Sequence, residues 1–167
     1  MIFNKNNELL PYGMHSVSKE DIHEVNKVLR GNKLTQGEKI HEFEQAIAKK
    51  VGSNYAIVVN SATSALHLSC LALGVKKKDI VWTSPISFVA SANCALYCGA
   101  KIDFVDINPL TGLIEVKNLE SKLKNAKNNN CLPKVLIPVH LAGSSCDMER
   151  IKNLSKIYGF SIIEDAS

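Results

Sequence analysis

The stretch 135–163, VLIPVHLAGSSCDMERIKNLSKIYGFSII, reads as a strand, a turn, a helix and a second strand. Val135-Leu136-Ile137-Pro138-Val139 is an unbroken apolar run without polar alternation, as expected of a strand buried on both faces. Met148–Tyr158 reads as the helix and Phe160-Ser161-Ile162-Ile163 as the next strand. The same unit recurs upstream. Tyr55-Ala56-Ile57-Val58-Val59 leads to a helix from Ala62 to Leu73, and Ile80-Val81-Trp82-Thr83 to a helix from Ser87 to Tyr97. Ile102-Asp103-Phe104-Val105 leads through a loop to a helix from Val116 to Ala126. Strands alternating with helices predict an α/β fold, a mostly parallel sheet with helices on both faces.

The preceding residues have another pattern. Ser18 followed by Lys19, Glu20 and Asp21 is a helix start, and Ile22, Val25, Val28 and Leu29 repeat at helical spacing until Gly31. A second amphipathic helix is predicted from about Lys39 to Val51, with Ile40, Phe43, Ile47 and Val51 on one face and Gly52 as its stop. The polar turn Asn32-Lys33-Leu34-Thr35-Gln36-Gly37 joins them. The expected organisation is therefore an N-terminal helical segment, residues 1–53, and an α/β domain, residues 54–167.

Composition excludes several function classes. With 46% hydrophobic and 22% charged residues, the 167-residue chain is expected to fold as a globular protein. Its formal charge of +4 is scattered, as in Lys49-Lys50 and Lys76-Lys77-Lys78, which reads as solvated surface and not as a nucleic-acid interface. The five cysteines, Cys70, Cys94, Cys98, Cys131 and Cys146, include no C-x-x-C pair and read as reduced thiols. Cys94 and Cys98 are four apart on a helix, but no histidine or second pair nearby completes a metal set. No apolar run approaches the ~18 residues of a membrane span, and residues 1–10 lack a signal-peptide core. A cytoplasmic location is expected.

In open α/β sheets ligands bind beyond the carboxyl ends of the strands. After the first apolar run comes Asn60-Ser61-Ala62-Thr63-Ser64, opening directly into a helix. Hydroxyls and free N–H groups at a helix N-terminus make an anion site, most naturally for phosphate, although Ser61 or Thr63 equally suits a helix cap. Neither G-x-G-x-x-G nor G-x-x-x-x-G-K-[ST] is present. Ser84-Pro85-Ile86-Ser87-Phe88 brings an aromatic ring to a strand end, as core or as a stacking platform. The last strand ends in Glu164-Asp165, whose carboxylates suit a metal, a ribose hydroxyl or a protonated ring nitrogen.

Taken together, 60-NSATSALHL-68, 84-SPISFVA-90, 138-PVHLAG-143 and 164-EDAS-167 resemble, in order and spacing, the sugar aminotransferases of the DegT/DnrJ/EryC1/StrS family. Leu34-Thr35-Gln36-Gly37 and Pro11-Tyr12 fit as well. The resemblance runs from about residue 9 to the end. It implies the N-terminal part of the large domain of an aspartate aminotransferase-like, pyridoxal-phosphate-dependent transferase. It further implies that Ala62 and Thr63 hold the cofactor phosphate, Phe88 stacks on the pyridine ring and Asp165 pairs with the ring nitrogen. Tyr12, Asn32, Lys33, Leu34, Thr35 and Ala62 are implied on the substrate side. His140 stands in a family motif and is given no role beyond that of a hydrogen-bonded histidine or a ligand contact.

Within the family the chain is most similar to members that aminate C4 of a UDP-linked 4-keto-6-deoxy-N-acetylhexosamine in pseudaminic acid synthesis, with glutamate as donor. Such enzymes are expected to be homodimers. Their Schiff-base lysine would lie beyond Ser167, so the 167-residue product alone is expected to be inactive and to leave an open sheet edge. Two alternatives remain: a non-catalytic module that binds a nucleotide-sugar or a partner subunit, and a pyridoxamine-dependent sugar dehydratase.

Overall fold

Ser18 starts the first helix as its sequence suggests, and the structure, a computed structural model, describes residues 14–167. Tyr12 and Pro11 lie outside the described residues. The Ser18 hydroxyl accepts the Asp21 N–H at 3.1 Å while the Asp21 carboxylate accepts the Ser18 N–H at 2.8 Å, a reciprocal capping box. Helix α1 spans Lys19–Leu29. Helix α2 spans Glu38–Val51 and stops at Gly52, whose φ of 70° is a left-handed conformation that costs glycine nothing. Ile22, Val25, Leu29, Ile40, Phe43, Ile47 and Val51 all remain exposed on these helices.

The chain divides into two compact units, the first ending at Val58 and the second beginning at Val59. The strand expected at Tyr55–Val59 does not form. β-branched residues favour an extended backbone, but a strand also needs a neighbour for its N–H and C=O groups. Here Val58 N–H donates to the Glu44 side chain at 3.0 Å and the Tyr55 carbonyl accepts from Ser53 Oγ at 2.7 Å.

The second unit runs α3 (Ala62–Ala72), β1 (Ile80–Thr83), α4 (Ala90–Tyr97), β2 (Lys101–Phe104), α5 (Val116–Asn128), β3 (Val135–Ile137), α6 (Met148–Tyr158) and β4 (Ser161–Ile162). The strands form one parallel sheet in the order β2-β1-β3-β4. Its register aligns Val81 with Val135 and Val135 with Ser161. β3 ends at Ile137 because Pro138 has no N–H to give, and pairing resumes as a bridge between Val139 and Asp165. α4 begins later than Ser87: Ser91 and Ala92 donate to the Phe88 and Val89 carbonyls three residues back, so its approach is a tighter turn.

Strand side chains alternate between two cores. Trp82 and Leu136 point to one face and pack with Leu119, Leu123, Ile151 and Leu154 of α5 and α6. Val81, Val135 and Ile137 point to the other and pack with Leu66, Cys70, Cys94 and Ala95 of α3 and α4. Burying a side chain such as Leu119 or Leu123 is worth roughly 1.5–3 kcal/mol, so these layers hold the sheet. The two-faced parallel sheet expected from the sequence is present.

Candidate cofactor site

β1 continues through α4 toward β2, whereas β3 continues through α6 toward β4 on the other side of the sheet. The connections diverge between β1 and β3, and a crevice opens at such a switch point beyond the strand ends. Ser84 follows β1 there, Pro138-Val139-His140 follows β3, and Glu164-Asp165 follows β4.

Asp165 is the buried charge of this edge, only 5% exposed. Its Oδ2 accepts from Ser91 Oγ at 2.6 Å, and its Oδ1 accepts from Ser167 N–H at 3.2 Å and Ser167 Oγ at 2.7 Å. Among the described residues no lysine, arginine or histidine forms an ion pair with it. A buried carboxylate served only by neutral donors has lone pairs to spare for a cationic partner. Its neighbour Glu164 points outward, as alternation along an extended chain requires.

The ring of Phe88 stands at the approach to α4 and is 74% exposed, so it is no part of either core. Its carbonyl accepts the Ser91 backbone N–H at 3.2 Å, and the Ser91 hydroxyl reaches Asp165, so Phe88 and Asp165 are tied through one residue. At α3, Ser61 is the N-cap and accepts the Ser64 N–H at 3.2 Å. Ser61 therefore caps, and the next N–H groups, those of Ala62 and Thr63, belong to the turn that a helix leaves without internal partners. Ala62 is exposed and Thr63 half-buried. An anion placed there would meet two donors and the positive end of the helix dipole.

His140 has a settled place in the fold. Its Nδ1 accepts the Cys146 N–H at 3.1 Å, so the ring proton is on Nε2, which donates to Glu164 Oε2 at 3.0 Å. Cys70 and Cys94 are fully buried between α3 and α4, as small apolar residues; the Cys70 thiol is pushed up by its hydrogen bond with Cys94 and by burial. Asn32, Lys33 and Leu34 lie in the first unit, on the wall of a cavity of about 540 Å³. Thr35 follows them in the exposed turn.

Sequence reading missed Ser87 and Ser91. The signal was partial: the two hydroxyls stand four apart, Ser87 in the turn before α4 and Ser91 inside it, their oxygens 2.7 Å apart, and Ser91 reaches the buried carboxylate.

The sequence and the fold are similar to those of known proteins. The profile of the DegT/DnrJ/EryC1/StrS aminotransferase family matches residues 15–167. The chain belongs to this family. It is 42% identical over 159 residues to the UDP-4-amino-4,6-dideoxy-N-acetyl-beta-L-altrosamine transaminase of Campylobacter jejuni, covering 95% of this chain and 41% of that protein. It is 38% identical over 152 residues to EpsN of Bacillus subtilis, named a putative pyridoxal phosphate-dependent aminotransferase, covering 90% of this chain and 39% of that protein. Among solved structures, Helicobacter pylori PseC, an aminotransferase involved in the biosynthesis of pseudoaminic acid, superposes with a TM-score of 0.83 at 34% identity. That match covers 94% of this chain and 41% of PseC. This DegT-family chain thus spans about two fifths of the length of the curated relatives it matches.

Proposed function

We propose that this chain carries part of the pyridoxal phosphate site of a nucleotide-sugar aminotransferase that takes its amino group from glutamate. The observation that carries the reading is Asp165: a buried carboxylate at the strand ends, served by hydroxyls and an amide, with no cation beside it among the described residues. A protonated pyridine nitrogen is the partner such a group suits. The open first turn of α3 suits the phosphate, and the exposed Phe88 ring suits stacking.

In this reading Asp165 holds the proton on the ring nitrogen, Phe88 covers the ring, and Ala62 and Thr63 fix the phosphate through N–H groups and the Thr63 hydroxyl. When bound, the cofactor supplies an electron sink for chemistry at the amino-bearing carbon. In this reading the chain's residues hold and orient it. The sugar nucleotide is assigned to the turn of Asn32, Lys33, Leu34 and Thr35, supported by the cavity that the first three line. The name of the Campylobacter relative, a transaminase of a UDP-linked amino sugar, supports a UDP-linked sugar, and a keto-sugar as amino acceptor is part of the same proposal. Among the described residues no helix is long and apolar enough to cross a membrane, and cytoplasmic action as a homodimer belongs to the same proposal.

The test is binding of pyridoxamine 5'-phosphate, which needs no covalent bond to be held, followed by its intrinsic fluorescence. Saturable binding that weakens at least tenfold in Asp165→Asn and Thr63→Ala is expected, since hydrogen bonds to charged groups are worth roughly 1.5–3 kcal/mol. Absence of saturable binding by the unaltered chain removes the reading.

A further inference from the structure

Ser91 lies inside α4 and is 1% exposed, yet its hydroxyl is placed among three oxygens. Asp165 Oδ2 is 2.6 Å away, Ser87 Oγ 2.7 Å and the Phe88 carbonyl 3.2 Å. A hydroxyl has one proton to give. The carboxylate is the stronger acceptor and the nearer one, so the Ser91 proton goes to Asp165. Ser91 Oγ is then left to accept, and Ser87 supplies the donor. The result is a directed chain of hydroxyls, Ser87 to Ser91 to Asp165, in which each bond polarises the next.

This chain does two things that another residue type at position 91 would not. An alanine would leave Oδ2 without its donor in a buried place, free to turn. A lysine or arginine would hold the carboxylate but cancel its charge. A serine fixes the orientation and leaves the charge available.

We propose that Ser91 is a positioning residue for the cofactor's ring nitrogen, acting through Asp165, with Ser87 setting the direction of the Ser91 hydroxyl. This rests on the reading of Asp165 given above and extends it to two residues to which the sequence motifs assign no role.

The experiment titrates the full chain and its variants with pyridoxamine 5'-phosphate between pH 6 and 10, following both the affinity and the pH midpoint of the bound ring's absorbance, with circular dichroism to check the fold. Ser91→Ala is expected to bind roughly tenfold more weakly and to lower the ring-protonation midpoint by about one pH unit, because a carboxylate free to turn no longer faces the ring nitrogen. Ser87→Ala shifts both in the same direction by a smaller amount, and Ser91→Thr, which keeps the hydroxyl, restores the midpoint. A purely structural hydroxyl would lower the unfolding midpoint and leave the ring-protonation midpoint unmoved. If Asp165→Asn weakens binding while Ser91→Ala changes neither quantity, Ser91 has no positioning role and the Asp165 reading stands. If the unaltered chain binds no pyridoxamine phosphate, both fall. Should Ser91→Ala unfold, an unmoved midpoint in Ser87→Ala overturns the hydroxyl chain.

Discussion

The backbone N–H of His140 donates to the carbonyl of Asp165 at 2.9 Å, continuing the sheet's pairing past Pro138 into the crevice. The same histidine's ring holds the Cys146 N–H on one side and Glu164 on the other. It therefore ties the turn after β3 to the end of β4, beside the carboxylate that dominates the site.

The two ring contacts should differ in worth. The His140 side chain is 13% exposed and that of Glu164 is 55% exposed. Replacing His140 with alanine strands a backbone N–H and should cost about 1–3 kcal/mol. Glu164→Gln should cost under ~1 kcal/mol, because its side chain is exposed and glutamine keeps an oxygen to accept the Nε2–H. Urea unfolding of the two variants measures this, and equal losses would assign the stabilisation to the hydrogen bond with Glu164.

A second prediction concerns acid. The Glu24 carboxyl is held down to about 2 by hydrogen bonds from Lys27 first and Lys39 second. A carboxyl lowered in the folded state contributes stability that is complete above its ordinary value of 4.5 and is lost as the pH falls toward 2. The group is exposed, so salt should weaken the effect. Carboxyl carbon shifts of Glu24 followed against pH should give a midpoint near 2 at low salt and a higher one in 1 M NaCl, where the Debye length is about 3 Å. A midpoint unmoved by salt would mean that direct hydrogen bonding alone sets it.

How much of this was legible in sequence follows from how local each signal is. α6 reads correctly from Met148 to Tyr158 because Asp147 caps it and Gly159 ends it within the same few residues. Asp165 is legible because an apolar run ending in carboxylates places one of them at a strand end. The run at Tyr55 misleads because pairing depends on residues distant in sequence, and no local signal reports them. Ser91 is hidden for a related reason: its partner is 74 positions away, and a serine in a helix looks the same with or without one.

The cores on the sheet's faces predict a sharp contrast with the surface of α1. Leu123 is fully buried against Trp82 and Leu136, whereas Ile22 is 53% exposed. Leu123→Ala should cost about 2–5 kcal/mol, the range for a truncated core leucine. Ile22→Ala should stay within roughly 1 kcal/mol, near the range for surface substitutions. Urea midpoints again decide. A loss at Ile22 matching that at Leu123 would mean that the apolar face of α1 is covered in solution.

The tightest glycine of the second unit lies against Leu141, next to His140. Gly112 has a φ of 72°, and a Cβ built on it would come within 2.7 Å of Leu141 Cδ2. Alanine at this position pays twice: roughly 1–2 kcal/mol for the left-handed backbone and more for displacing Leu141. Only the second part depends on Leu141, whose side chain is half-buried and able to turn aside. A double-mutant cycle separates them. Gly112→Ala should destabilise by about 2 kcal/mol, and adding Leu141→Ala should recover about 0.5–1 kcal/mol of the sum of the single losses. Strict additivity would show that the whole cost lies in the backbone, and that Gly112 leaves the His140 turn undisturbed.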